Sequence, residues 1–148
     1  MTAINWTDDH NARALRCDAN HRNFIEIIDY LDVSSVAGID RAKLIAVVDT
    51  ITTLAARQFR HEEEKFIAAN YPNATTHIGL HKVALEILAH FRNDIMHCDP
   101  NALAMELLSV LKGWVLLHIQ DEDSQCGAFL NREAIRRNWK EETFRLAA

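Results

Sequence analysis

Apolar residues recur along this chain at intervals of three and four, the period that stacks side chains on one face of an α-helix rather than alternating them across a strand. The first such pattern begins near Asp18, a residue suited to capping a helix, and puts Phe24, Ile27, Ile28 and Leu31 on one face. It fades into DVSSVAGID, where Ser34, Ser35 and Gly38 predict a loop over residues 34–39. A second helix is predicted from about Asp40 to Ala69, with a stripe of Leu44, Val47, Val48, Ile51, Leu54 and Ala55 that continues to Phe59 and Phe66. ANYPNA ends it, because Pro72 does not continue a helix and Asn70 and Asn73 suit a turn. The third pattern spans about Ala74 to Asn93 and turns Ile78, Leu85 and Leu88 inward. After the break at HCDPN, the fourth runs from about Asn101 to at least His118 through Leu103, Leu107, Leu108, Leu111, Trp114 and Val115. A last, polar helix over residues 132–144 offers Ile135, Trp139 and Phe144 to the outside of whatever the others form.

Four long amphipathic segments with short connections predict an all-α fold, an antiparallel up-down-up-down four-helix bundle. Helices of this kind are marginal alone, so burial of their apolar faces must supply most of the stability. One domain is expected: an arm over residues 1–17 pinned by Ile4 and Trp6, a bundle over about 18–124, and a C-terminal extension over 125–148 with its short helix.

Composition narrows the partners. The chain has 148 residues, of which 49% are hydrophobic and 25% charged, an ordinary globular balance with enough apolar surface for a core. A net charge of -5 and the lack of a basic run interleaved with aromatics argue against nucleic acid. No stretch approaches the roughly 18 apolar residues of a membrane span. The start, MTAINWTDDHN, lacks the basic and apolar regions of a signal peptide. Cys17, Cys98 and Cys126 are odd in number and widely spaced, which suits a reducing cytoplasm rather than a disulfide framework.

Eight histidines in this setting raise the question of a metal. His77 and His81 are four residues apart and project from one helix face, where two imidazoles can hold one ion. His118 follows the apolar run GWVLL, where a histidine must find either a buried hydrogen bond or a metal. Glu62 and Asp123 can add anionic oxygens, and His21 on the first helix can approach the same centre. Such a mixed nitrogen and oxygen set favours iron or manganese, and a bundle core builds a two-metal carboxylate site by drawing one or two ligands from each helix. No HExxH motif points to zinc hydrolysis.

The pieces INWTDDHNARALRCDANHRNF, QFRHEEEKF, NYPNATTHIGLHKV and WVLLHIQDED, in this order and at these separations, resemble the bacterial hemerythrins over about residues 4–130. The resemblance implies a hemerythrin-like bundle around a nonheme diiron centre that binds dioxygen reversibly, for storage, delivery or sensing, rather than an enzyme. Carried onto this chain, it gives His77, His81 and His118 to one iron and His21 to the other. Glu62 and Asp123 would bridge the two ions, together with an oxo or hydroxo group. Simple helical register after His118 favours Glu122; the family pattern has its aspartate one position later, at Asp123. Phe24, Phe59, Trp114, Val115 and Ile119 match the apolar positions around the oxygen-binding iron, and the same residues serve equally as core. A monomer is expected, exchanging dioxygen or electrons with a redox or oxygen-accepting partner.

One position departs from the pattern. Where the family has HFxxEE this chain has QFRHEE, so Gln58 stands in the slot of a histidine ligand, one turn before Glu62. Gln58 can offer a carbonyl oxygen to the outer iron or hydrogen-bond a metal-bound water. Either way the second ion is expected to be held less tightly. His61 lies about 60° around the helix from Gln58, which suits a surface position better than a ligand. Glu62 should point inward, and Glu63 and Glu64 toward solvent or neighbouring helices. His10, His90 and His97 fall outside the pattern. Two other functions compete with oxygen binding: a diiron redox enzyme of oxidase or peroxidase type, and a bundle whose second metal site is weakened or lost.

Overall fold

A computed structural model describes residues 18–117, with side chains from Arg22 to Trp114. They form four helices, α1 (Asp18–Ala37), α2 (Arg41–Ala68), α3 (Ala74–Asp94) and α4 (Pro100–Leu117), with no strand among the described residues. Connections this short return each helix alongside the one before it, giving the antiparallel up-down-up-down bundle. The main packing pairs are α2 with α3 and α1 with α4. No helix among the described residues is long and apolar enough to cross a membrane.

The stripes read from the sequence are the core. Ile28, Leu31, Leu44, Val48, Leu107 and Leu108 are almost wholly buried, and Phe24, Ile51, Ala55, Phe59, Leu88, Leu103 and Leu111 complete the same cluster. Ile27, Leu54, Leu85 and Trp114 pack around its margin. A second, small cluster of Phe66 and Tyr71, with Ile78 against it, lies beneath the α2–α3 turn.

The ends of the helices follow local chemistry. Asp40 caps α2, accepting a hydrogen bond from the Lys43 amide at 2.8 Å. Asp99 does the same for α4 through the Ala102 amide at 2.9 Å, just ahead of Pro100 at the first helical position. Asn70 takes a left-handed conformation, φ 52°, that turns the chain out of α2, and the Tyr71 amide closes the turn on the Phe66 carbonyl at 2.9 Å. One boundary differs from the sequence expectation. Ser34 and Ser35 lie inside α1, which continues to Ala37. The Ser35 hydroxyl donates back to the Asp32 carbonyl at 2.8 Å, so its polar group is satisfied within the helix. The break is Gly38, whose φ of +98° a side-chain-bearing residue rarely adopts.

Side-chain bonds then fix the helices against one another. Asn101 on α4 accepts from the Ile39 amide at 2.8 Å, and Arg41 on α2 donates to the Ile95 carbonyl at 2.9 Å. Lys112 reaches Asp32 across α4 and α1 at 3.2 Å, and Arg92 reaches Asp49 across α3 and α2 at 2.8 Å. The arm with Ile4, Trp6 and His10, together with Cys17, the side chains of His21 and Val115, residues 118–124 with His118, Ile119 and Asp123, and the C-terminal extension with Cys126, lie outside the described residues.

Candidate metal centre

The α2–α3 hairpin builds the site. Its five-residue turn holds the C-terminal half of α2 against the N-terminal half of α3, so residues near positions 60 and 79 face each other. On α2, Gln58 and Glu62 are one turn apart and both point inward, at 2% and 5% exposure. On α3, His77 and His81 are likewise one turn apart, at 0% and 1%. Glu62 Oε2 lies 3.1 Å from His81 Nε2 and 3.9 Å from His77 Nε2. Among the described residues, Glu62, His77 and His81 form a group whose donor atoms all lie within 4.8 Å of one another.

Aromatic rings wall this cluster. Phe59 stacks flat on His81, with centroids 3.9 Å apart and planes 4° from parallel. Phe66 meets His77 edge-on at 4.7 Å. Behind Phe59 an apolar cavity of about 30 Å³ is lined by Phe24, Phe59 and Trp114, three of the five residues expected around the oxygen-binding metal, and by core residues such as Ile28, Ile51, Ala55 and Leu107. Lined by apolar groups, a space of this kind disfavours water.

Two further α2 residues engage the cluster. The Gln58 amide donates from Nε2 to Glu62 Oε1 at 2.6 Å. This orientation follows from chemistry, because an ionised carboxylate only accepts and the amide nitrogen is the donor end of the side chain. Gln58 is therefore buried beside Glu62, with its amide turned to the carboxylate. Glu63, expected to face solvent or a neighbouring helix, is half-buried and lies 3.0 Å from His81 Nδ1 through Oε1. No motif flags Glu63; its one signal is a rotation of about 100° from Glu62, which carries it round toward α3. His61, His90, His97 and Cys98 are exposed and outside the cluster.

The donor set fits a transition-metal ion. His81 has a carboxylate oxygen at 3.0 Å from one ring nitrogen and at 3.1 Å from the other. A neutral imidazole donates from only one nitrogen, so the second approach sets a lone pair against an anion unless a cation lies between them. A proton would relieve that single contact. A metal ion would engage Glu62, His77 and His81 together, which is the arrangement their convergence describes.

Residues 16–130 match the family model for the hemerythrin HHE cation binding domain. The chain belongs to the hemerythrin family. Among curated hemerythrin relatives, the bacteriohemerythrin of Stenotrophomonas maltophilia (strain R551-3) is 29% identical over 138 residues, covering 90% of this chain and 88% of the relative. The bacteriohemerythrin of Pseudomonas aeruginosa (strain LESB58) is 23% identical over 124 residues, covering 84% and 79%. In structure, wild-type hemerythrin superposes with a TM-score of 0.77 at 17% identity, over 87% of this chain and 98% of that one. A point mutant of hemerythrin gives 0.78 at the same identity. At this identity the structural likeness establishes the hemerythrin bundle. With the family match it gives a metal-binding four-helix bundle in which one Glu/His triad is seen among the described residues.

Proposed function

We propose that this hemerythrin holds one metal ion firmly and a second only weakly, and that its ligand is dioxygen. The firm site is Glu62, His77 and His81, joined by His118 as the family pattern implies. The weak site would rely on His21, Asp123 and the second oxygen of Glu62. Iron, when bound, supplies the capacity to bind dioxygen reversibly. The protein supplies the rest. Phe24, Phe59 and Trp114 keep water from the apolar side of the site, with Val115 and Ile119 proposed to extend that wall.

The observation that carries the unequal reading is the Gln58–Glu62 hydrogen bond. A carboxylate that bridges two ions presents one oxygen to each. Here Oε2 faces the histidines, whereas Oε1 accepts the Gln58 amide at 2.6 Å. An amide N–H carries no lone pair for a metal, so its presence at Oε1 competes with a second ion instead of recruiting one. This supports a hemerythrin bundle with a weakened second site over a symmetric diiron carrier. The reading is of a binding protein, not an enzyme, in keeping with the family.

Anaerobic iron loading followed by dialysis against a weak chelator tests it. The expected result is one iron retained per chain, and its loss in His77→Ala. Two irons retained with equal affinity would overturn the proposal.

A further inference from the structure

We propose that Glu63 is the positioning residue of the metal centre: through Nδ1 it fixes the tautomer and the orientation of His81. This rests on the reading that Glu62, His77 and His81 hold a metal. His81 is confined on several sides at once. Phe59 covers one ring face at 3.9 Å, Glu62 Oε2 faces Nε2 at 3.1 Å, and Glu63 Oε1 faces Nδ1 at 3.0 Å. A carboxylate only accepts, so the proton shared with Glu63 belongs to Nδ1, and in the neutral ring the Nε2 lone pair then points at the cluster. Without that acceptor the ring is free to carry its proton on Nε2, next to Glu62, where it would block the donor atom that a metal needs.

Glu63 also changes the charge seen by the ion. A carboxylate on the far nitrogen makes the imidazole a stronger donor, and such partners typically set metal affinity by about 10- to 100-fold. Position on the helix allows this without competition for the metal itself: Glu62 faces the cluster, while its neighbour, turned by about 100°, reaches the outer edge of the ring. Glu64, one residue on, is exposed and serves as the control.

The test uses the full chain and two independent readouts. The first is iron(II) affinity, by competition with a chelating dye, in the parent, Glu63→Ala, Glu63→Gln and Glu64→Ala. Glu63→Ala should weaken binding about 10- to 100-fold. Glu63→Gln, which keeps an oxygen for Nδ1–H but loses the charge, should fall between Glu63→Ala and the parent. Glu64→Ala should match the parent. The second readout is the His81 tautomer in the metal-free protein, from long-range nitrogen-15 NMR above the range where free histidine titrates. The parent and Glu63→Gln should show the Nδ1–H form, and Glu63→Ala a shift toward Nε2–H. Parent-like affinity together with an unchanged tautomer in Glu63→Ala would overturn the proposal. A parent that retains no iron but shows the Glu63-dependent tautomer would sink the metal reading and leave the positioning of His81 intact.

Discussion

Replacing Gln58 by leucine removes the amide that donates to Glu62 and keeps a side chain of similar size on the inner face of α2. Both partners are buried, at 2% and 5% exposure, and their separation of 2.6 Å is that of a strong, charge-assisted bond. A hydrogen bond to a charged group contributes about 1.5–3 kcal/mol, and leucine recovers part of that by burying apolar surface. The net loss should be about 1–2 kcal/mol. With a urea dependence of about 2 kcal/mol per molar, the unfolding midpoint should fall by about 0.5–1 M. The assay is urea unfolding followed by circular dichroism on metal-free protein, since a bound ion would add its own stabilisation by mass action. A double-mutant cycle isolates the pair: in a Glu62→Leu background the same substitution should raise stability by about 0.5–1 kcal/mol, because the bond is already gone and only the apolar gain of leucine remains. An equal loss in both backgrounds, or no loss in the parent, would refute the claim that Gln58 acts on Glu62.

Three other outcomes follow from the same structure. Gln58→His, which puts a lone-pair nitrogen where the amide now stands, should raise iron retained after anaerobic loading from one toward two per chain; unchanged retention by metal analysis would count against Gln58 as the cause of the weak site. Gly38→Ala should lower stability by about 1–2 kcal/mol from backbone strain alone, because φ is +98° while the nearest atom to an added Cβ, Asn101 Oδ1, is 3.9 Å away; a neutral result in urea unfolding would show that the turn relaxes. Asp40→Ala removes the cap on α2 and should lose about 1 kcal/mol by the same assay, with Asp40→Asn largely retaining it.

The bundle was legible because each of its helices has a core stripe at period three and four, and the turns carry residues with few other uses. At Ser34 and Ser35 the structure departs from the expected loop for a local reason: a serine hydroxyl can bond within a helix as readily as it can end one, and the backbone of Gly38 decides which. His77 and His81 were legible as a pair because a single helix fixes their spacing. Gln58 stands out through the departure from a family pattern, but its partner does not, since helical spacing alone leaves an amide at that position able to serve a metal, a water or the Glu62 carboxylate. For Glu63 the sequence specifies no more than solvent or a neighbouring helix. Its reach to His81 depends on how α2 is rotated against α3, a property of packing between helices that no spacing within one helix expresses.

The candidate donors Glu62, His77 and His81, with Gln58 and Glu63 beside them, all fall between positions 58 and 81, on one helical hairpin. The long-range closure that completes the bundle, α1 against α4, joins opposite ends of the described chain. Bringing the hairpin together closes a short loop and forgoes little chain entropy, whereas docking α4 onto α1 closes a much longer one. The order of events on a growing chain is thereby biased: residues 58–81 leave the ribosome before α4 does, and can bring Glu62, His77 and His81 together first. An ion captured then would act as a folding nucleus. In pulse-labelled hydrogen exchange during refolding, added iron(II) should hasten protection of amides near the α2–α3 turn ahead of those in α1 and α4.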